Sequence, residues 1–112
     1  MMLARIPVVG PGAVRVRLAG GARLSITPNR PGAENVVALE LPLRGATVRV
    51  DCAMPGMAMG PLAFPLREVR PGVYRVTVRA LRMPGRWRLS FDVRPRSGRR
   101  RAVVVDDRIG FR

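Results

Sequence analysis

Val73-Tyr74-Arg75-Val76-Thr77-Val78-Arg79-Ala80-Leu81 and, one turn later, Arg86-Trp87-Arg88-Leu89-Ser90-Phe91-Asp92-Val93-Arg94 decide the fold class. In both stretches apolar side chains alternate with charged or hydroxyl ones. That period of two belongs to a strand with one buried face and one wet face. Tyr74, Val76, Val78 and Ala80 fall on one side of the first, and Trp87, Leu89, Phe91 and Val93 on one side of the second. Met83-Pro84-Gly85 between them carries turn chemistry. Upstream, Val14, Val16 and Leu18 alternate with Arg15 and Arg17, and Leu24 and Ile26 follow after Gly20-Gly21. Asn35 to Leu41 is almost continuously apolar and reads as a central strand covered on both faces. Val48, Val50 and Cys52 share one side of Thr47 to Ala53. Leu62, Phe64 and Leu66 form a short strand that Pro65 assigns to a sheet edge. A last strand is expected at Arg101 to Asp106.

Such strands recur about every 8–12 residues with Gly and Pro between them, the pattern of an all-β sandwich or barrel. The expectation is a two-sheet sandwich of seven to eight mostly antiparallel strands. It would be a single domain over residues 1–112, with its core at about 13–106 and flexible termini. Helical periodicity is hard to find anywhere in the chain.

The chain of 112 residues is highly basic, at +14, and all of its 21 basic residues are arginine. Basic surfaces attract phosphate, but these arginines are dispersed along the chain and mostly alternate with apolar residues. They read as a solvated cationic face, with no specific nucleic-acid partner. Aromatic residues make up 4%, too few for a platform on which single strands would stack. Arg99-Arg100-Arg101, beside Ser97-Gly98, reads as part of a hairpin turn.

Histidine is absent and Cys52 is the only cysteine, so the usual general base, an internal disulfide and a cysteine-based zinc cluster are all excluded. Asp106-Asp107 is the only acidic pair and is assigned to a turn at a strand end. Asp51 and Glu68 are read as counter-charges for arginines on neighbouring strands. With no nucleophile–base pair in view, a non-enzymatic protein is expected. No apolar run approaches the ~20 residues of a membrane span, and Met1 to Gly12 lacks the apolar core of a secretory signal.

Burial logic leaves the sulfur in the turns unexplained. Met54-Pro55-Gly56-Met57-Ala58-Met59 places three thioethers within six residues, and Met83-Pro84-Gly85 repeats the Met-Pro-Gly start. Thioethers are soft donors suited to Cu(I), and Pro and Gly could hold a bent backbone that brings them together. Met54, Met57, Met59 and Met83 are thus candidate metal ligands. The alternative is that these methionines fill the end of the sandwich as adaptable apolar packing, in a metal-free structural or protein-interaction module. Cys52 shares the parity of Val48 and Val50 and is expected in the core, as is Trp87.

The run Ile26-Thr27-Pro28, Pro31-Gly32, Asn35, Met54-Pro55-Gly56-Met57-Ala58-Met59, Pro71-Gly72-Val73-Tyr74 and Leu81-Arg82-Met83-Pro84-Gly85-Arg86-Trp87 resembles the YtkA-like domain family. The resemblance spans about residues 14–94. It implies an immunoglobulin-like, extracytoplasmic domain that handles copper, similar also to FixH-type proteins. A copper-handling membrane protein or an oxidase-assembly factor would be its partner, with membrane association through a parent chain. By position, Met54, Met57, Met59 and Met83 would carry Cu(I), and Tyr74 and Trp87 would be structural. Members often carry histidine near the methionine loop, which this sequence lacks.

Overall fold

The structure, a computed structural model, describes residues 5–57 and 62–110. Nine strands form among them: β1 (Val8–Val9), β2 (Val14–Arg17), β3 (Arg23–Thr27), β4 (Asn35–Glu40), β5 (Thr47–Ala53), β6 (Leu62–Arg70), β7 (Val73–Val78), β8 (Gly85–Arg94) and β9 (Arg101–Ile109). One 3-10 turn, Ala19–Gly21, joins β2 to β3, and no α-helix occurs among the described residues.

The strands make one mixed, nearly closed sheet in the order β1-β9-β8-β5-β6-β7-β4-β3-β2. This differs from the expected two-sheet sandwich of seven to eight strands in number and in continuity. The reason is β6. Its first half, to Leu66, pairs with β5, and its second half, from Arg67, pairs with β7 across a register shift between Glu68 and Arg70. A bulge bends a strand and increases its twist, so one strand turns the corner between the two halves. The half of β6 that contains Pro65 has a partner on one flank alone, which accommodates a residue without an N–H. β1 adds a parallel pair to the otherwise antiparallel ladder, with Val8 opposite Asp106 and Val9 opposite Asp107.

Alternation is realised as expected. Leu24, Ile26, Val37, Leu39, Val48, Val50, Cys52, Leu66, Tyr74, Val78, Trp87, Leu89, Phe91, Val93 and Val105 all lie in one buried cluster. Each large side chain there contributes about 1.5–3 kcal/mol by leaving water. β4 is central, between β3 and β7. Its outward residues Val36 and Ala38 are half-buried, so one face alone is fully covered. Val9 and Ile109, outside the stretch expected to hold the core, are also buried in it.

The turn at the far corner from the methionines is held by polar groups. The Tyr74 hydroxyl donates to the Leu43 carbonyl at 2.8 Å and accepts from the Ala46 N–H at 3.1 Å. This ties the β4–β5 connection onto β7. Glu68 has an arginine near it, Arg96 of the β8–β9 connection, whose charge also lowers its carboxyl, but it makes no ion pair among the described residues and its hydrogen bonds go to backbone. It accepts from the backbone N–H groups of Gly45 (3.0 Å) and Gly72 (2.9 Å), and the Gly72 bond is the main reason its carboxyl is held below the usual value. Asp51 is exposed and makes no ion pair among the described residues.

Candidate metal centre

β5 and β8 run antiparallel with Ala53 opposite Arg88. The chain leaving β5 and the chain entering β8 therefore emerge at the same end of the sheet. Met54-Pro55-Gly56-Met57 closes as a turn in which the Met57 N–H donates to the Met54 carbonyl at 3.1 Å. Pro55 presets φ at the first central position, and Gly56 at φ 86° supplies the left-handed second one, the pattern of a type II turn. In the second turn the Trp87 indole N–H donates to the Met83 carbonyl at 2.9 Å, so a buried anchor fixes the backbone that carries Met83.

The two Met-Pro-Gly turns touch. A Cβ placed on Gly85 would come within 2.6 Å of the terminal methyl of Met54, so the Met54 side chain lies across Gly85. Met54 is half-buried and packs against the core, whereas Met57 and Met83 are 50% and 39% exposed. The structure thus brings Met54 onto the turn of Met83 and leaves two thioether side chains open to solvent at that end. Met59 lies outside the described residues. No group of three or more His, Cys, Asp or Glu side chains that could hold a metal ion occurs among the described residues.

Cys52 is buried as expected. Its thiol is pushed up to about 12, chiefly by burial and further by the negative charges of Asp51 and Asp107. A thiol so placed stays protonated, which makes it a core side chain and a poor metal ligand at neutral pH.

Asp107 corrects the turn assignment of the acidic pair. Both aspartates lie within β9 and are buried; Asp106, opposite Arg88, pairs with it (Nε to Oδ1 2.9 Å), while Asp107 is opposite Trp87. The Asn29 side-chain amide donates to Asp107 Oδ1 at 2.8 Å and to the Gly12 carbonyl at 2.8 Å. Asp107 Oδ2 and Asn29 Oδ1 are buried without a partner. Burial pushes the Asp107 carboxyl up to about 6, against the lowering effect of the Asn29 bond. The sequence signal for this placement is parity. Val103, Val105, Asp107 and Ile109 share one side of the strand, and only its charge sets Asp107 apart from that apolar series.

The YtkA-like family matches residues 13–92, most of the chain. The protein is a member of the YtkA-like family. Both methionine turns, Tyr74 and Trp87 lie inside the matched segment of this YtkA-like domain, and β9, with Asp107, lies beyond it. No curated protein and no solved structure matches the chain.

Proposed function

We propose that this YtkA-like domain is a non-enzymatic, extracytoplasmic protein that binds Cu(I), or passes it on, at the end of the sheet where its two Met-Pro-Gly turns meet. One observation carries this: Met54 lies across Gly85, so the turns of Met54, Met57 and Met83 share one end of the sheet. The donor set fits the ion. Thioethers are neutral and soft, as Cu(I) prefers, and need not lose a proton to bind. Met57 and Met83 would supply exposed sulfurs, Met54 a half-buried one, and Met59 a further one from the adjoining stretch. Arg82 and Arg86 are exposed near the second turn and oppose a cation there. A monovalent ion feels that less than a divalent one, since the energy scales with charge. The partner on this reading is a copper-handling membrane protein or an oxidase-assembly factor, and the immunoglobulin-like description belongs to the same family expectation.

A second reading has its own observation. Met54 packs against the core, as it would in a metal-free interaction module whose exposed methionines are adaptable apolar contacts. Titration with Cu(I) under reducing conditions, against a chromophoric chelator, separates the two. Copper binding predicts one saturable site, weakened at least tenfold in the Met57→Ile/Met83→Ile double variant. An absence of saturable binding, or equal affinity in that variant, favours the metal-free module.

A further inference from the structure

The outer faces of the two halves of the sheet are charged in different ways. On the half built from β1, β9, β8 and β5, carboxylates stand among the arginines. Arg88 pairs with Asp106, and Arg94 and Arg100 both reach Asp92. On the other half, the rows across the sheet read Arg15-Ser25-Ala38-Arg75-Arg67 and Arg17-Arg23-Glu40-Val73-Arg70. Six arginines meet one carboxylate there, and Glu40 reaches Arg23 at 4.0 Å with both side chains largely in water. Among the described residues, Arg15, Arg17, Arg67, Arg70 and Arg75 have no ion-pair partner.

The register makes this arrangement unfavourable in isolation. Arg17 stands directly opposite Arg23, and Arg67 directly opposite Arg75; on the other half Arg86 faces Arg108 in the same way. Like charges facing each other across a strand pair destabilise it, and nothing in the core requires them on an outward face. The small residues Ser25 and Ala38 lie between the two arginine walls. They lower the floor in that row, while in the next row Arg23 of β3 and Glu40 of β4 stand in a trough, between Arg17 on β2 and Arg70 at the end of β6. Arg15, Arg17, Arg23 and Arg70 line the trough together with one carboxylate, Glu40, while Arg67 and Arg75 stand outside its lining, and its volume is about 450 Å³. That is the size of a small-molecule site, and it is a concavity, whereas a duplex or a bilayer would meet a broad open surface.

We propose that this trough binds a small anion carrying two or more phosphate groups. Guanidinium groups bond phosphate oxygens in bidentate fashion, and an anion in the trough would relieve the like-charged Arg17–Arg23 pair that lines it. The site lies on the outer face of β2, β3, β4 and β7 and does not depend on the copper reading.

Inorganic pyrophosphate is the probe, followed by calorimetry at physiological salt, with orthophosphate, a duplex oligonucleotide and phosphatidylserine vesicles as further arms. The expected result is saturable one-to-one binding of pyrophosphate, tighter than orthophosphate. Arg15→Gln/Arg70→Gln should weaken it at least tenfold, while Arg49→Gln/Arg94→Gln, on the other half and equal in charge removed, should leave it within twofold. Equal loss in both variants would overturn the site in favour of a net-charge effect. So would an absence of saturable pyrophosphate binding, or binding of the duplex or vesicles in its place.

Discussion

Asp107 is the residue at which this fold departs most from burial logic. A carboxylate in an apolar setting with one partner is costly when ionised, and its native value near 6 exceeds the ordinary aspartate value of 3.8. Between those values the folded chain holds a proton that the unfolded chain has released. Its contribution to stability therefore falls as pH rises from about 4 to about 6 and stays lost above that. A rise of this size corresponds to roughly 3 kcal/mol at most. Urea denaturation at pH 4.5 and 7.5 should show Asp107→Asn gaining stability over wild type at the higher pH, with the difference shrinking at the lower one. A difference that is the same at both values would mean that Asp107 does not titrate in this window. Cys52 provides a second residue-scale expectation. With its thiol pushed up to about 12, it should resist iodoacetamide at pH 8 in the folded protein and react promptly in denaturant. Rapid labelling of the native chain would show that the end of the core near Asp107 is open.

At the scale of elements, the methionine turns depend on one close approach. Gly85 has φ 138° and the Met54 methyl above it, whereas Gly98 has φ 98° and nothing within 4 Å of an added Cβ. Both alanine variants would carry backbone strain, of order 1–3 kcal/mol, but Gly85→Ala alone also displaces Met54. Thermal denaturation should therefore show a larger loss for Gly85→Ala than for Gly98→Ala, and Met54→Ala should recover part of it. Equal losses, or no recovery, would mean that the two turns are not packed together. Eight of the nine strands are legible in the sequence, seven because a half-buried strand writes its two faces into alternate residues and β4 because it is almost continuously apolar. β1 is not, since two residues are too few to show a period. The turn chemistry of Met54-Pro55-Gly56-Met57 is legible for the same local reason, being set by Pro and Gly within four residues.

At the scale of the whole molecule, the continuous sheet is hidden in the sequence. Hydrophobic alternation tells which side of a strand faces inward. It does not tell that β6 changes partner at Leu66 and Arg67, which is a matter of register and of the bulge after Glu68. Likewise each arginine looks like an ordinary outward residue; that those of one half have carboxylates beside them and those lining the trough have only Glu40 emerges once the strand order is known. The juxtaposition of the two Met-Pro-Gly turns is of the same kind, since 29 positions separate Met54 from Met83 in the chain. It arises because β5 and β8 are neighbours, and the copper proposal stands on it. The most direct test is a spectrum of protein labelled with 13C at the methionine methyls, recorded as Cu(I) is added under reducing conditions. Copper binding at this end predicts that the Met54, Met57, Met59 and Met83 methyls shift together and saturate at one equivalent, while those of Met1 and Met2 stay in place. Methyls that do not move, or shifts confined to Met1 and Met2, would contradict it.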